Sequence, residues 1–519
     1  MVSVREQIDR IVVTAAQMSA IEGRMFEAGM PVAALMEKVA GRISDRMTAR
    51  FPSARKIGIL AGPGHNGGDA LVVARELHFK GCAVEICCPV SKVKPLTEAH
   101  LNYAKSLGIT CTSAIDSFAA CDLIVDGLFG FGLERSLSDM LAAIVDQVNR
   151  WHVPIVSIDL PSGLHTDTGK ALGTAIRATH TFCLGLWKLG LLQDHALEYV
   201  GQVERIDFDI PLTDIQAILG KVPPIQRITP ELALSALPLN RPASTHKYKM
   251  GHVLVVCGSR RYAGGALLTG LGARASGAGM VSIAVPNSLK SMLSAHLPEA
   301  LIVGCPETES GAIAELPISL NEFDAIACGP GLTLDAAAIV AQVLESDRPL
   351  VLDADGLNCL AQQGTIPTLQ KRQAETVLTP HLGEFRRLFS DSIEVQKAAQ
   401  QTGAIVLLKG ARVAISSAHN SEGTADGQGQ MRLNPESTPA LARGGSGDVL
   451  TGLLGGLLVQ KFAGEQDVSL LDLVASGAWW HAQAGVYAAQ TRTVLGVDAH
   501  TLADFLIPTL QRWVSDREK

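Results

Sequence analysis

Short apolar runs recur along this chain, and each one ends at a turn rich in glycine or acid. In the first half they read K-I-G-I-L-A (Lys56–Ala61), A-V-E-I-C-C (Ala83–Cys88), L-I-V-D (Leu123–Asp126), P-I-V-S-I-D (Pro154–Asp159) and Thr181–Gly185. Amphipathic stretches separate them, such as Ala70–Lys80, whose apolar residues recur at helical spacing. Strands that are apolar on both faces and alternate with helices belong to a parallel sheet covered on both sides. In such sheets the ligand crevice lies beyond the carboxyl ends of the strands. Three polar stretches fall at those ends: Gly62–Asp69, Asp126–Ser136 and Asp159–Gly163. They are expected to converge.

A chain of 519 residues is too long for one core, so two domains of roughly 200–280 residues are expected. The rhythm breaks at Pro211–Pro230, which contains Pro211, Pro223, Pro224 and Pro230. It then restarts with His252–Cys257, Met280–Val285, Leu301–Gly304, Ala325–Cys328, Leu350–Asp353, Thr376–Leu378 and Ile405–Leu408. The expected division is 1–215, a linker at 216–228, and 229–519. Gly423–Gln430 is polar and Gly-rich, and a mobile loop is expected there. The net charge of −7, without a basic block, argues against nucleic acid as a partner. An anion site built from backbone N–H groups needs no net positive charge and stays open. The ten cysteines include no C-x-x-C pair, so neither a zinc site nor a disulfide framework is expected. The first residues lack an apolar signal region, and runs such as Val449–Val459 are too short to span a bilayer. A cytoplasmic location and no membrane partner are the expectations.

The loop G-P-G-H-N-G-G-D, Gly62–Asp69, contains the spacing G-x-G-x-x-G. Alone that spacing is a weak sign of dinucleotide binding. A dehydrogenase would place an acid at the end of the second strand to grip the ribose, and here that strand ends Cys87-Cys88-Pro89. A tight turn capped by Asp69 and a phosphate-binding helix start both remain open. So do two readings of Asp159, as a turn former or as a reactive carboxylate at a strand end.

Taken in order, G-P-G-H-N-G-G-D, V-D-G-L-F-G-F-G-L and I-D-L-P-S-G-L resemble the NAD(P)H-hydrate epimerase family, the YjeF N-terminal domain, over roughly residues 10–210. The resemblance implies a Rossmann-like three-layer domain with a parallel sheet. It implies that His65, Asn66, Gly67, Gly68 and Asp69 bind the phosphates of the hydrated dinucleotide. Gly130, Phe131, Gly132, Leu133, Glu134, Arg135 and Ser136 would line the nucleotide site, and Asp159 would be the catalytic acid/base. Asn66, Asp126 and Ser162 would ligate K⁺, a hard cation suited to oxygen ligands. Two residues depart from the family's pattern: His65 stands where asparagine is usual, and Ala70 where glycine is usual. His65 can still donate to a phosphate, with a dependence on pH.

In the second half the sharpest motif is A-R-G-G-S-G-D-V-L-T-G, Ala442–Gly452. Its glycines precede a long apolar run. Such a turn can offer N–H groups to an anion, with Asp448 as a base or simply as a first-turn helix acid. T-P-H-L-G-E-F (Thr379–Phe385) puts His381 and Glu384 on one face if it opens a helix, where Glu384 is either a surface acid or a holder of a Mg²⁺-bound water. L-K-G-A-R-V (Leu408–Val413) and D-A-D-G-L-N (Asp353–Asn358) also fall at strand ends, and Asp353 and Asp355 read more simply as turn formers.

Together with Y-A-G-G-A, A-S-G-A-G-M-V and G-P-G-L, these motifs resemble the ADP-dependent NAD(P)H-hydrate dehydratase family, a ribokinase-like α/β fold, over roughly residues 228–510. Leu382 replaces the proline usual in T-P-H-P-G-E. The resemblance implies that Ala266, Gly331, His381 and Asp448 contact the hydrate. Lys409, Gly410, Ala411, Arg412, Val413 and Gly447 would contact the adenine nucleotide, with Asp448 catalytic, ADP as co-substrate and Mg²⁺ as its metal. Joined in one chain, the two halves imply a repair enzyme for hydrated NADH and NADPH. The epimerase would recycle the stereoisomer that the dehydratase leaves behind, and a homo-oligomer is expected. Two alternatives stay open: a small-molecule kinase with a regulatory N-terminal domain, and a non-catalytic first half fused to an active second half.

Overall fold

The computed structural model describes residues 3–390, 393–418, 429–463 and 468–517. The chain divides into two compact units, Met1–Pro223 and Pro224–Lys519. Residues 216–228, expected as a linker, carry regular structure on both sides of that division. The helix Leu212–Leu219 buries Ile215 and Leu219 in the core of the first unit. The strand Ile225–Arg227 joins the sheet of the second.

In the first unit β1 (Val12–Val13) precedes β2 (Lys56–Ala61), β3 (Ala83–Cys87), β4 (Thr110–Thr112), β5 (Leu123–Gly127), β6 (Ile155–Ile158), β7 (His180–Leu184), β8 (Trp187–Lys188) and β9 (Gln202–Ile206). Seven of them form one sheet in the order β4-β3-β2-β5-β6-β7-β9. Every neighbouring pair is parallel. The remaining two, β1 and β8, pair in parallel with each other. Adjacent residues of β2 enter different cores: Ile59 packs with the helix Val32–Arg50, and Leu60 packs with Phe118 and Ile124. That alternation makes three layers. The strand order reverses between β2 and β5, so the crevice falls at their carboxyl ends.

The helix expected over Ala70–Lys80 in fact runs His65–Phe79. The polar loop is therefore its first turn, and Gly64 is its N-cap. Glycine at 62 and 67 is a matter of close approach. A Cβ on Gly62 would lie 1.7 Å from the carbonyl oxygen of Leu128, and one on Gly67 would lie 2.0 Å from that of Gly62. Gly62→Ala is expected to cost at least about 1–3 kcal/mol through overpacking. A chemical denaturation midpoint would measure it.

The second unit builds a larger sheet from β10 (Ile225–Arg227), β11 (His252–Val256), β12 (Met280–Pro286), β13 (Leu301–Cys305), β14 (Ala325–Cys328), β15 (Leu350–Leu352), β16 (Thr376–Leu378), β17 (Ile405–Leu408), β18 (Val413–Ser416) and β19 (Met431–Asn434). Its order is β10-β19-β18-β17-β16-β15-β14-β11-β12-β13. β18 runs antiparallel to both of its neighbours, and the other pairs are parallel. Val253 and Val255 face one core while Leu254 and Val256 face another. Here too the order reverses, between β11 and β14. Gly423–Gln430, the expected loop, lies outside the described residues apart from Gly429 and Gln430. All ten cysteines are free. Among the described residues no helix is long and apolar enough to cross a membrane.

Candidate active sites

In the first unit the turns after β2, β5 and β6 meet. The amide of Phe131 donates to Asp159 Oδ2 at 3.0 Å, that of Phe129 donates to Ser162 Oγ at 2.8 Å, and that of Gly62 donates to the Gly127 carbonyl at 3.1 Å. The three polar stretches do converge. They wall a cavity of about 540 Å³ whose lining includes His65, Asn66, Asp69, Gly130, Phe131, Gly132, Leu133 and Asp159. The helix Ala15–Glu27 closes it with Ser19, Glu22, Gly23 and Phe26. That spacing is one helical face.

Asp159 stands at φ 69°, a left-handed backbone that an aspartate adopts at a cost of about 1–3 kcal/mol. Its side chain is almost wholly buried. Oδ1 accepts from Lys188 Nζ at 2.5 Å and from the Leu184 amide at 3.2 Å. Lys188 has no exposed side-chain surface, and it also donates to the Leu184 carbonyl. Burial works to lower the Lys188 pKa, but Asp159, Cys183 and Glu22 together outweigh it, and the value is raised. Lys188→Met would leave Asp159 buried without its counter-charge. The expected loss is about 3–5 kcal/mol of stability, measured by denaturant titration.

Two further acids face the same cavity. Burial pushes Glu22 up to about 7, against the pull of Lys188 and with help from Asp159. Burial, then Asp159 and Glu22, lift Asp69 well above the carboxylate range. Asp69 is surrounded by protein yet open to solvent through the cavity it lines. Like charges so placed resist ionising together.

Asp126 is fully buried. It accepts from Ser157 Oγ at 2.8 Å, from the Ser162 amide at 2.9 Å, from Ser162 Oγ at 2.6 Å and from the Leu128 amide at 3.3 Å. Burial raises its pKa while the Ser162 and Ser157 hydrogen bonds oppose. Asn66 Nδ2 is buried without a partner among the described residues. Its Oδ1 and Asp159 Oδ2 would each lie 3.1 Å from a Cβ on Gly130, so any side chain there would crowd both. Burial, then Lys94, lowers the His65 pKa, which favours the neutral ring. Gly67 and Gly68 are buried beneath the wall. Glu134, Arg135 and Ser136 lie on an exposed loop beyond it.

In the second unit the residues after β15, β16 and β17 gather around the start of the helix Ser446–Ala463. Asp353 follows β15 and is buried. It accepts from Lys409 Nζ at 2.6 Å and from Thr451 Oγ1 at 2.7 Å. A Cβ on Gly447 would lie 3.3 Å from Lys409 Nζ, and one on Gly265 would lie 3.4 Å from Asp448 Oδ2. The Gly-rich turn therefore faces Lys409, and Asp448 faces the start of the helix Ala263–Ala275. Burial and Asp353 raise the Asp448 pKa to about 6, opposed by Lys409. Burial acts to lower Lys409, but Asp353 and Glu384 prevail and it is raised.

His381 caps the helix Leu382–Leu388. Its Nδ1 accepts from the Gly383 amide at 2.9 Å, and Glu384 Oε2 accepts from the His381 amide at 2.9 Å. The ring's Nε2 is left toward solvent and Glu384. Lys409–Val413 turns from β17 into β18, with Gly410 and Ala411 exposed and Arg412 and Val413 half-buried. Gly331 has φ 67° and packs against Tyr262. Ala266 is 0% exposed within the core, so its side chain offers no surface to a ligand.

Glu22, Lys94, Lys188, Asp353 and His481 were not singled out as site residues by motif, or only as turn formers. Lys188 did carry a signal, a lone lysine in the apolar run L-G-L-W-K-L-G-L-L. His481 is buried, with its pKa lowered to about 4 by burial. Its Nε2 lies 2.9 Å from the Ser446 carbonyl. A carbonyl only accepts, so this nitrogen carries the proton and pins the Gly-rich turn.

These features define a two-site α/β enzyme, with a buried carboxylate at a strand end of each sheet and a lysine paired to it. Residues 32–190 match the family of the YjeF-related protein N-terminus, and residues 253–508 match the NAD(P)H-hydrate dehydratase family. The bifunctional NAD(P)H-hydrate repair enzyme Nnr of Synechocystis sp. is 51% identical over 514 residues, covering 97% of this chain and 96% of that one. Its counterpart in Thermosynechococcus vestitus is 50% identical, covering 98% of each. The crystal structure of the ADP/ATP-dependent NAD(P)H-hydrate dehydratase of Bacillus subtilis, co-crystallised with ATP/Mg²⁺, is 30% identical and covers 55% of this chain and 97% of that one, with a TM-score of 0.46. The chain belongs to the family of bifunctional NAD(P)H-hydrate repair enzymes.

Proposed function

We propose that this chain exchanges the R and S forms of hydrated NADH or NADPH in its first unit, and dehydrates the S form in its second with ADP as phosphoryl donor. The observation that carries the reading is a buried carboxylate paired with a lysine in each unit, Asp159 with Lys188 and Asp353 with Lys409, each carboxylate following a strand of the unit's parallel sheet. In the first unit Asp159 takes and returns the proton of the hydrate's C6 hydroxyl. Asn66 and the helix start His65–Asp69 hold the dinucleotide phosphates.

In the second unit Asp448 deprotonates that hydroxyl. The N–H groups of the turn before Asp448, with Lys409, steady charge on the transferred phosphoryl group. Transfer of the phosphoryl group to that oxygen releases AMP. The phosphorylated oxygen then leaves as phosphate, pushed out by the ring nitrogen's lone pair, and loss of a proton from C5 of the resulting iminium forms C5=C6 and restores the reduced nicotinamide. His381 offers its outer ring nitrogen to the substrate.

Among the described residues no three His, Cys, Asp or Glu side chains cluster as a metal cage. That fits Mg²⁺ held chiefly by nucleotide phosphates and water, with Glu384 available to hold one such water. Mg²⁺ supplies charge neutralisation there. For K⁺, Asn66 Oδ1, the Asp126 carboxylate and Ser162 Oγ give the right oxygen chemistry. Asp126 and Ser162 are buried and hydrogen-bonded to each other at 2.6 Å, and neither is among the residues that line the cavity with Asn66.

The test is recovery of reduced-nicotinamide absorbance from a mixed R/S hydrate, with ADP and Mg²⁺, with ATP and Mg²⁺, and with no nucleotide. Full recovery only with nucleotide, fastest with ADP, is expected. Absence of nucleotide-dependent recovery, with a phosphorylated product accumulating from another small molecule, would return the second unit to the kinase reading.

A further inference from the structure

We propose that Glu22 is a second proton-transferring group of the first site, working on the hydrate ring together with Asp159. This rests on the epimerase reading of that unit. Asp159 is heavily engaged: its carboxylate accepts from Lys188, Leu184 and Phe131. A carboxylate has about four acceptor sites, so one remains for a substrate proton. Inverting a carbinolamine carbon needs more than one.

As the C6 hydroxyl loses its proton to Asp159, C6=O forms and the C6–N1 bond breaks. The electron pair goes to N1, which must take a proton from an acid. After rotation about C5–C6, N1 returns that proton, attacks the other face of the carbonyl, and the oxygen regains its proton from Asp159. The net change is inversion alone, with no oxidant or co-reactant.

Glu22 meets the needs of the second group. It lies on the face Ser19, Glu22, Gly23, Phe26 that walls the cavity, on an element distinct from the turn that carries Asp159. It has no hydrogen bond or ion pair among the described residues. The titratable groups that face the same cavity are Lys188, Asp159, Asp69, His65 and Lys94. Lys188 and Asp159 act on Glu22 electrostatically and Glu22 acts on Asp69, and burial sets its pKa near 7, so both of its protonation states are available at neutral pH.

The experiment measures R/S exchange in the intact chain for wild type, Glu22→Gln and Glu22→Asp between pH 5 and 9, with dehydration of pure S hydrate as an internal control. The expected result is a loss of exchange by about 10²–10⁴-fold in Glu22→Gln, falling on kcat rather than KM. The inflection near pH 7 should vanish in Glu22→Gln and persist in Glu22→Asp. Dehydration of the S form should be unchanged. Exchange within threefold of wild type in Glu22→Gln would overturn the proposal. So would a loss in Glu22→Gln that leaves the inflection in place, since that would be a structural effect. A wild type that fails to exchange R and S would instead sink the epimerase reading itself.

Discussion

Asp159→Asn is expected to leave a mixed hydrate preparation only partly repaired. The S form should be consumed at the wild-type rate, and recovery of reduced nicotinamide should then stall on the R form. Asparagine is a fair probe, because it keeps the size of aspartate and tolerates the left-handed backbone at this position. It cannot take the substrate's proton. The loss of exchange should be about 10²–10⁴-fold, the usual contribution of a positioned acid or base. Complete recovery by the variant, at the wild-type rate and above that of spontaneous exchange, would remove Asp159 from the role of acid/base.

Asp448→Asn should have the complementary effect. Nucleotide-dependent dehydration should fall by about 10²–10⁴-fold while R/S exchange continues, as chromatography of the two hydrates would reveal. The wild-type pH profile carries a second check. Asp448 has its pKa raised to about 6, chiefly by burial. A base is competent when unprotonated, so dehydration should be level above that pH and fall about tenfold per unit well below it. A variant with residual activity should lose that acid limb. A limb unchanged in the variant would assign the titration to another group and remove Asp448 from the role of base.

The parts of these sites that lie close together in sequence were legible there. The turn Gly62–Asp69, the loop after β5 and Asp159 are contiguous strings at strand ends that line one cavity, and the run Gly444–Asp448 opens a helix. The strands of the parallel sheets were legible too, because burial on both faces makes them apolar throughout. Other features depend on long-range packing. Lys188 meets Asp159 across 29 positions, from a short strand that exists only because it pairs with β1. Glu22 reaches the cavity from an outlying helix whose sequence is ordinary. β18 and β19 pair antiparallel beside a parallel sheet, and their alternating, part-polar sequences do not resemble the apolar runs elsewhere. The start of the helix at His65 was missed for a local reason. Glycines disfavour helix by propensity, yet at 67 and 68 the close packing against Gly62 and Met36 demands them.

The division between Pro223 and Pro224 bears on how such a chain can change over time. Each half carries its own sheet, its own apolar interior and its own buried ion pair of a carboxylate with a lysine. Substitutions that tune one site can therefore be packed within its own half. Fusion fixes something else: one copy of each unit per polypeptide chain. The ratio of the two sites is set by covalent linkage, while their relative speeds remain open to tuning residue by residue.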